Sequence, residues 1–192
     1  MIILLIILVI LSFGLLLWQI SNFISVFYGS PYVMVDKIVI QRALKLANLK
    51  KGEVFYDLGC GRGDVLIKAG EMGAKAIGFE ISPYYYLYAK IRIGILKLIP
   101  FNCSSIKKGL NLRRVTVFYK NIYKTNLSKA DVVYCYLLPK MLEKLTPKFV
   151  RELKKGGRLI SIGFPLKFEH PCRVIKIKKS KIYGHRVFIY QF

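Results

Sequence analysis

The chain has 192 residues, of which 54% are hydrophobic, and its 32 Lys and Arg side chains outnumber 10 Asp and Glu, giving a formal net charge of +22. So apolar a composition excludes an intrinsically disordered chain, and four cysteines are too few for a disulfide scaffold. The length fits one domain with a short appendage, and the charge favours a polyanionic partner: nucleic acid, an anionic membrane surface or an acidic protein.

An uncharged apolar segment opens the chain. The first charged side chain is Asp36, and residues 1–20 are almost purely aliphatic. Twenty helical residues span about 30 Å, the thickness of the hydrocarbon core of a bilayer. Aromatic residues follow, as an interfacial belt would: Trp18, Phe23, Phe27, Tyr28 and Tyr32. We therefore predict a single transmembrane helix over residues 1–28 and a folded domain over residues 29–192.

Two other interpretations of this segment are disfavoured. A cleaved signal peptide needs basic residues before its apolar stretch, and a buried core helix in a small domain would show a polar face. Basic residues instead come just after the segment: Lys37, Arg42, Lys45, Lys50 and Lys51. The positive-inside rule then predicts a cytoplasmic domain and a minimal outer tail. Because each lysine near anionic lipid contributes about 1 kcal/mol, part of the charge has a partner in the membrane itself.

Strands and helices alternate in the rest of the chain. Apolar periodicity predicts helices over 36–49, 63–72, 83–98 and 139–154, and strands over 54–56, 75–80, 115–119, 131–136 and 158–163. Two late alternations, 173–178 and 186–190, predict a terminal hairpin. The alternation predicts an α/β, Rossmann-like fold with a mostly parallel seven-stranded sheet, an antiparallel C-terminal hairpin and helices on both faces. Ligands of such sheets bind at the carboxyl ends of the strands.

The loop after the first strand carries glycines between acidic residues. It reads Asp57-Leu58-Gly59-Cys60-Gly61-Arg62-Gly63-Asp64. Gly59 and Gly61 would let the backbone approach a ligand, and Gly63 would pack the next helix onto the sheet. The spacing is not the G-x-G-x-x-G of dinucleotide sites, and Asp57 would repel a pyrophosphate. The loop favours a cationic ligand such as S-adenosylmethionine, which carries an ammonium and a sulfonium but no phosphate.

A second acid ends the second strand. Glu80 lies 23 residues after Asp57, where a carboxylate can accept hydrogen bonds from both ribose hydroxyls of an adenosine. The alternative is that both acids are surface turn residues. The chain has only ten acidic residues, so two of them would rarely fall at strand ends with this spacing by chance. This disfavours the alternative.

These motifs resemble those of class I S-adenosylmethionine-dependent methyltransferases over residues 30–165. VFYDLGCGRGDV (54–65) is similar to their first motif and GFEIS (78–82) to their second. The N-terminal span, Ser30-Pro31-Tyr32-Val33 and DVVYCYLLP (131–139) resemble, more narrowly, the membrane-anchored protein-lysine methyltransferases. That family includes mitochondrial enzymes that modify the ATP-synthase c subunit and their prokaryotic relatives. The chain departs from the family at Met34, where a proline is usual.

The resemblance implies S-adenosylmethionine as cofactor and lysines of a membrane-associated protein, possibly membrane-embedded, as methyl acceptors. It implies these cofactor-binding residues: Asp57, Gly59, Cys60, Gly61, Gly63, Glu80, Ile81, Asn121, Ile122 and Cys135. Asn121 replaces the family's usual acid, and its amide oxygen can still accept a hydrogen bond from the adenine amino group. The expected catalytic residues are Tyr32, Tyr136 and Pro139, since an aromatic wall and backbone carbonyls would guide the amine and hold its alkyl stem.

Other functions stay open at this point. RNA methylation is suggested by four basic residues: Lys107, Lys108, Arg113 and Arg114. Against it, the segment Cys135-Tyr136-Leu137-Leu138-Pro139 is not the Asn/Asp-Pro-Pro-aromatic motif by which base-amino methyltransferases of this fold generally resemble one another. Methylation of a lipid or small molecule at the membrane, and cofactor binding without transfer, are further alternatives. No metal site is predicted, because the cysteines form no C-x-x-C pair and no metal-ligand pattern. The two histidines, His170 and His185, have no triad partner in evident spacing and are expected to be surface or hairpin residues.

Overall fold

The computed structural model of the chain describes residues 1–27, 33–98, 112–168, 172–176 and 186–192. Five helices are found there: α1 (Ile2–Phe27), α2 (Lys37–Leu46), α3 (Asp64–Glu71), α4 (Pro83–Leu98) and α5 (Pro139–Glu152). The strands of these ranges are β1 (Val54–Leu58), β2 (Lys75–Glu80), β3 (Thr116–Tyr119), β4 (Val132–Cys135), β5 (Arg158–Ile162), β6 (Cys172–Lys176) and β7 (Arg186–Gln191).

The strands form one seven-stranded sheet in the order β3-β2-β1-β4-β5-β7-β6. The first five run parallel to one another, whereas β7 is antiparallel to both β5 and β6. The predicted α/β fold with an antiparallel C-terminal hairpin is confirmed. The strand order reverses between β1 and β4, so the carboxyl ends of these two strands form the topological switch point at which ligands of open α/β sheets bind.

Most predicted bounds agree with the structure to within one or two residues, and those of β2 and α4 coincide with it. The predicted end of α2 is wrong, because the helix stops at Leu46 rather than at residue 49. Asn48 adopts a left-handed backbone conformation with a φ of 52°, and the Leu49 N–H donates to the carbonyl of Leu44. This is the geometry of a helix C-terminus, for which asparagine is a tolerated residue.

Helices cover both faces of the sheet, and each face has its own apolar core. One core contains residues of α2, α3 and α4, among them Leu44, Leu66 and Ile93, whereas the other contains residues of α5. Along β1, Phe55 belongs to the first core and Leu58 to the second. Because successive side chains of a strand point to opposite faces, Asp57 points to the same face as Phe55.

The N-terminal helix α1 is apolar and largely exposed, as predicted. Its residues Ile2–Ile24 are long and apolar enough to cross a membrane, by length and composition. One side chain near its C-terminal end, Ser21, is fully buried, and its hydroxyl accepts a hydrogen bond of 2.8 Å from the backbone N–H of Tyr84. Because the first N–H groups of a helix have no intrahelical partner, Ser21 caps the first turn of α4 and joins α1 to the folded domain.

Candidate active site

A cleft opens at the carboxyl ends of the central strands, with about 950 Å³ of space when the open solvent at its mouth is included. Most of the site residues expected from the sequence line it: Asp57, Gly59, Cys60, Gly61, Glu80, Ile81, Asn121, Ile122 and Tyr136. They come from the carboxyl ends of four parallel strands and the loops that follow, which the sheet order brings to one edge. Val33 and Val35, which precede α2, also line the cleft.

The carboxylate of Glu80 is held by three backbone N–H groups. One oxygen accepts from Gly61 at 2.8 Å, and the other accepts from Ile81 at 2.9 Å and Ser82 at 2.8 Å. Burial raises the pKa of Glu80, while these three hydrogen bonds act to lower it. Since a carboxylate has about four lone-pair positions and three are used here, Glu80 can accept one further hydrogen bond from a ligand in a fixed orientation.

The glycine loop is built so that its backbone reaches Glu80. Gly61 has a φ of 50°, in the left-handed region, and this turn directs its N–H at the carboxylate. Gly63 does not line the cleft. It begins α3 with a φ of 78°, and a side-chain carbon there would lie 3.2 Å from the Ile93 Cδ1 atom of α4. The role expected for Gly63, close packing of the following helix, agrees with this placement.

Asp57 is a buried acid with an unsatisfied oxygen. It lines the cleft, and its Oδ2 atom has no hydrogen-bond partner. Burial raises the pKa of Asp57 well above its ordinary value, and the nearby charges of Glu80 and Asp64 raise it further. An unpaired carboxylate in such a place is costly, so a cationic group bound in the cleft would relieve an existing penalty.

Tyr134 is a site residue that the sequence did not indicate. It is the partner of Asp57 in the β1–β4 register, so both side chains point to the same face of the sheet. Tyr134 is buried and lines the cleft, and its hydroxyl has no hydrogen-bond partner. Burial raises its pKa well above the ordinary value, and Asp57 adds to the shift. The signal that identifies it is the strand register rather than a motif.

Arg62 supplies positive charge to the same cleft and was also missed. Its guanidinium donates a hydrogen bond of 2.8 Å to the hydroxyl of Tyr88 and lies 4.9 Å from the centre of that ring. Because the guanidinium is held over an aromatic face, it is positioned before any ligand binds. The cleft therefore offers carboxylates and a cation, which suits a ligand that carries both charges.

Asn121 uses its side chain to build the loop after β3. Its amide oxygen accepts a hydrogen bond of 2.9 Å from the N–H of Tyr123, which belongs to the short 3₁₀ turn Ile122–Lys124. The oxygen expected to meet an adenine amino group therefore already has one partner. A second lone pair of that oxygen remains for a ligand.

Some predicted site residues lie away from the cleft. Cys135 is fully buried in the core beneath α5, because strand alternation directs Tyr134 to the cleft face and the next side chain to the other. Burial raises the pKa of the Cys135 thiol to about 12. Pro139 is exposed at the start of α5 and does not line the cleft. Tyr32, with both histidines, lies outside the described residues.

Comparison with known proteins agrees with this geometry. Residues 57–173 match the family model described as the ANTKMT methyltransferase domain. A protein-lysine N-methyltransferase of Saccharolobus islandicus is 32% identical over 162 residues, which cover 83% of this chain and 92% of that protein. The adenine nucleotide translocase lysine N-methyltransferase of Mus musculus is 26% identical over 160 residues, which cover 82% of this chain and 63% of that protein.

A solved structure shares the fold over nearly its whole length. It is the crystal structure of an RNA methyltransferase from Salinibacter ruber in complex with S-adenosyl-L-homocysteine, with a TM-score of 0.69 and 26% identity. The match covers 83% of this chain and 93% of that one. With the family match extending from Asp57 past β5, the chain belongs to the ANTKMT methyltransferase domain family and is an S-adenosylmethionine-dependent methyltransferase.

Proposed function

We propose that this protein methylates lysine side chains of a membrane-associated protein, and that α1 anchors it in the membrane as a single span. The supporting observation is the short connection between anchor and cleft. Val33 in the cleft wall lies six positions after Phe27, the last residue of α1, and six residues of chain reach at most about 22 Å. The cleft is therefore kept near the membrane, where tethering raises the effective concentration of substrates in the same plane.

The orientation of the anchor follows from charge. The basic residues after α1 favour a cytoplasmic catalytic domain under the positive-inside rule. The same residues, with the net charge of +22, favour contact with an anionic membrane surface. Tagging each end of the chain and testing its access to a protease in sealed vesicles, with the cytoplasmic face outward, measures this orientation. Protection of residues 36–192 from the protease in such vesicles would contradict it.

The residues of the cleft fit the cofactor by charge and hydrogen-bonding capacity. The unpartnered Oδ2 of Asp57 would accept a hydrogen bond from the ammonium group, and the free lone pair of Glu80 would accept one from a ribose hydroxyl. Arg62 would face the carboxylate, while Ile81 and Ile122 would contact the adenine. Bound S-adenosylmethionine supplies a methyl group activated by its sulfonium, so the protein's part is to bind, orient and exclude water.

The acceptor side of the cleft must handle a protonated amine. A lysine has an ordinary pKa of about 10.4, so the site must favour its neutral form, and burial among apolar side chains does so. Tyr136, Leu137 and Met141 form such a wall. The ring of Tyr136 is packed against Gly163, where a side-chain carbon would lie 3.1 Å from its Cε2 atom. We propose that Tyr136 aligns the lysine, with Tyr32 as a second aromatic residue of the acceptor site.

Replacement of Tyr136 tests this role. We expect Tyr136→Ala to lower kcat/KM for the lysine acceptor by about 100-fold, because a small misplacement of the amine costs that much, while the Kd for S-adenosylhomocysteine stays the same. Methyl transfer to a membrane acceptor and calorimetry give the two values. Tyr119→Ala, at an exposed tyrosine of β3, is the matched control. An equal loss of kcat/KM in both variants would show that Tyr136 does not belong to the acceptor site.

Cofactor affinity should fall as the solution is acidified. Burial raises the pKa of both Asp57 and Glu80, and their ionised forms are the ones that attract the ammonium and the hydroxyls. Affinity is therefore full above these raised pKa values and is lost as the pH falls through them. Calorimetric titration with S-adenosylhomocysteine from neutral to mildly acidic pH measures the loss. A flat profile would show that neither carboxylate meets the cofactor in its ionised form.

Stability of the cofactor-free protein should respond to pH in the opposite direction. A carboxyl whose pKa is raised on folding binds protons more tightly in the folded state than in the unfolded state. Below its ordinary pKa, Asp57 is protonated in both states and does not destabilise the folded protein. As the pH rises from there toward the raised pKa, Asp57 lowers the free energy of unfolding progressively. Asp57→Asn should remove this contribution, as urea titrations at several pH values can check.

The proposed substrate class is tested by comparing methyl-lysine in membrane fractions of cells with and without this protein. We expect one or a few lysines of membrane proteins to lose their methyl groups when the protein is absent. Cells that carry the Glu80→Ala variant are the control, since they keep the anchor but lose cofactor binding. Unchanged lysine methylation throughout the membrane fraction would reject the proposal.

RNA methylation is the second candidate function. The similarity to the Salinibacter ruber RNA methyltransferase and the net charge of +22 favour it. The loop after β4, residues 136–139, lacks the Asn/Asp-Pro-Pro-aromatic motif and disfavours it. RNA binding that weakens steeply with salt, together with methyl transfer to the RNA, would establish this candidate.

A further inference from the structure

One face of α4 is apolar and exposed. Four large aliphatic side chains on it have these exposed fractions: Leu87 46%, Ile91 53%, Ile95 57% and Leu98 82%. At about 100° per residue they fall within an arc of about 80° over residues 87–98 of the helix. We call these four side chains the α4 stripe. The opposite face of the helix is buried, with Ala89 and Ile93 against the domain core.

The α4 stripe begins where α1 meets the domain. Ser21 accepts the backbone N–H of Tyr84, and Tyr84 lies three residues before Leu87, on the same side of α4. Ser21 is close to the C-terminal end of the apolar span Ile2–Ile24. If α1 crosses a bilayer, this end lies at the depth of the lipid headgroups, and the first turn of α4 lies there with it.

The charges around the α4 stripe suit an anionic surface. The helix contains no acidic residue, and Lys90 and Lys97 follow one edge of the stripe. The Lys90 ammonium lies 3.1 Å from the hydroxyl of Tyr86, while that of Lys97 donates to the carbonyl of Val115 at 2.7 Å. Asp64 of α3 pairs with Arg92 of α4 at 2.8 Å, so its charge is neutralised. An apolar face with basic edges is typical of helices that lie in the interface of anionic bilayers.

We propose that α4 lies along the membrane surface, with the α4 stripe inserted between the headgroups and acyl chains of anionic lipids. The inference rests on the proposed membrane anchoring by α1. It adds a second membrane contact, which would fix the orientation of the domain relative to the bilayer. Only Ile81 and Ser82 separate Glu80 from Pro83, the first residue of α4. The lipid contact would therefore hold the cofactor cleft at a set height, level with a lysine that an embedded substrate presents.

The test places a fluorophore on α4 and measures its distance from lipid. Full-length protein with Ile91→Cys or Ile95→Cys is labelled and placed, one copy each, in nanodiscs of phosphatidylcholine with about a quarter phosphatidylglycerol, whose anionic headgroups the proposal requires. A share of the lipids carries a quencher on the acyl chain. Cys103→Ser and Cys172→Ser form the background, since the remaining thiols, Cys60 and Cys135, are buried. Val150→Cys is the matched control, 52% exposed on α5 at the other face of the sheet.

We expect several-fold stronger quenching at the α4 positions than at Val150. Equal, weak quenching at all three positions would overturn the inference. In liposomes, a disulfide between two Ile95→Cys chains would identify a second copy as the occupant of the stripe, which would also overturn it. Quenching at α4 without any methylated lysine would reject the proposed function and keep the lipid contact. Lysine methylation without quenching at α4 would keep the proposed function and reject the lipid contact.

A functional measurement complements the probe. The double variant Ile91→Asp with Ile95→Asp changes exposed side chains, so its thermal midpoint should be close to that of the unaltered protein. We expect several-fold slower methylation of an acceptor in membranes and an unchanged Kd for S-adenosylhomocysteine. Equal rates on membranes, with folding intact, would contradict a role of the stripe in orienting the domain.

Discussion

Replacement of Glu80 by alanine is expected to raise the Kd for S-adenosylhomocysteine by about 100-fold, which corresponds to about 2.7 kcal/mol. The carboxylate is fixed by the N–H groups of Gly61, Ile81 and Ser82, so its remaining lone pair is held in place for a ribose hydroxyl. Hydrogen bonds to a charged group each contribute about 1.5–3 kcal/mol. Calorimetry on the full-length protein measures the change.

Two further variants separate this role from general damage. Glu71→Ala removes an exposed carboxylate that pairs with Lys68 at 2.7 Å, and it should leave the affinity unchanged. Glu80→Gln keeps the shape of the side chain but loses the charge, so its affinity should lie between those of the other two. A Kd of Glu80→Ala for S-adenosylhomocysteine within about threefold of that of the unaltered protein would mean a loss of less than about 1 kcal/mol. Glu80 would then not hold the ribose.

Asp57→Asn should have opposite effects on stability and on binding. The unpartnered carboxylate destabilises the cofactor-free protein, so we expect the free energy of unfolding to rise by about 1–2 kcal/mol at neutral pH. The same substitution removes the charge that meets the ammonium, so the Kd for S-adenosylhomocysteine should rise by about 10- to 100-fold. Urea unfolding without cofactor and calorimetry with it give the two numbers on one variant.

Asp131→Asn is the matched control for Asp57. The Asp131 carboxylate accepts a hydrogen bond of 2.7 Å from the N–H of Val54 and pairs with Lys154 at 2.6 Å. Loss of its charge should therefore lower stability rather than raise it, with no change in cofactor affinity. A lower stability of Asp57→Asn as well would mean that the Asp57 charge is satisfied in the free protein.

The parts of the site that depend on neighbouring residues could be predicted from the sequence. The glycine loop follows β1 and Glu80 ends β2, both recognisable strands, and parallel strands bring their carboxyl ends to one edge. The strand β2 and helix α4 were bounded correctly, because charged or turn residues flank strong apolar patterns. The fold class followed from the same alternation.

Residues that depend on register or on distant packing could not be predicted. Tyr134 enters the cleft because β4 pairs with β1 in a register that aligns it with Asp57, and no local pattern gives that register. Strand alternation then turns Cys135 away from the cleft. The contact between Ser21 and Tyr84 joins residues 63 positions apart, and neither residue type indicates it. The role of Asn121 in capping its own loop was likewise hidden, since an amide can bond either backbone or ligand.

The most direct measurement of the central claim is transfer of a labelled methyl group to membranes. Membranes from cells that lack the protein are incubated with labelled S-adenosylmethionine and the purified full-length enzyme, and the label is traced in protein, RNA and lipid. We predict label in methylated lysine of one or a few membrane proteins, and none with Glu80→Ala. Label in RNA or lipid, with none in lysine, would contradict the account.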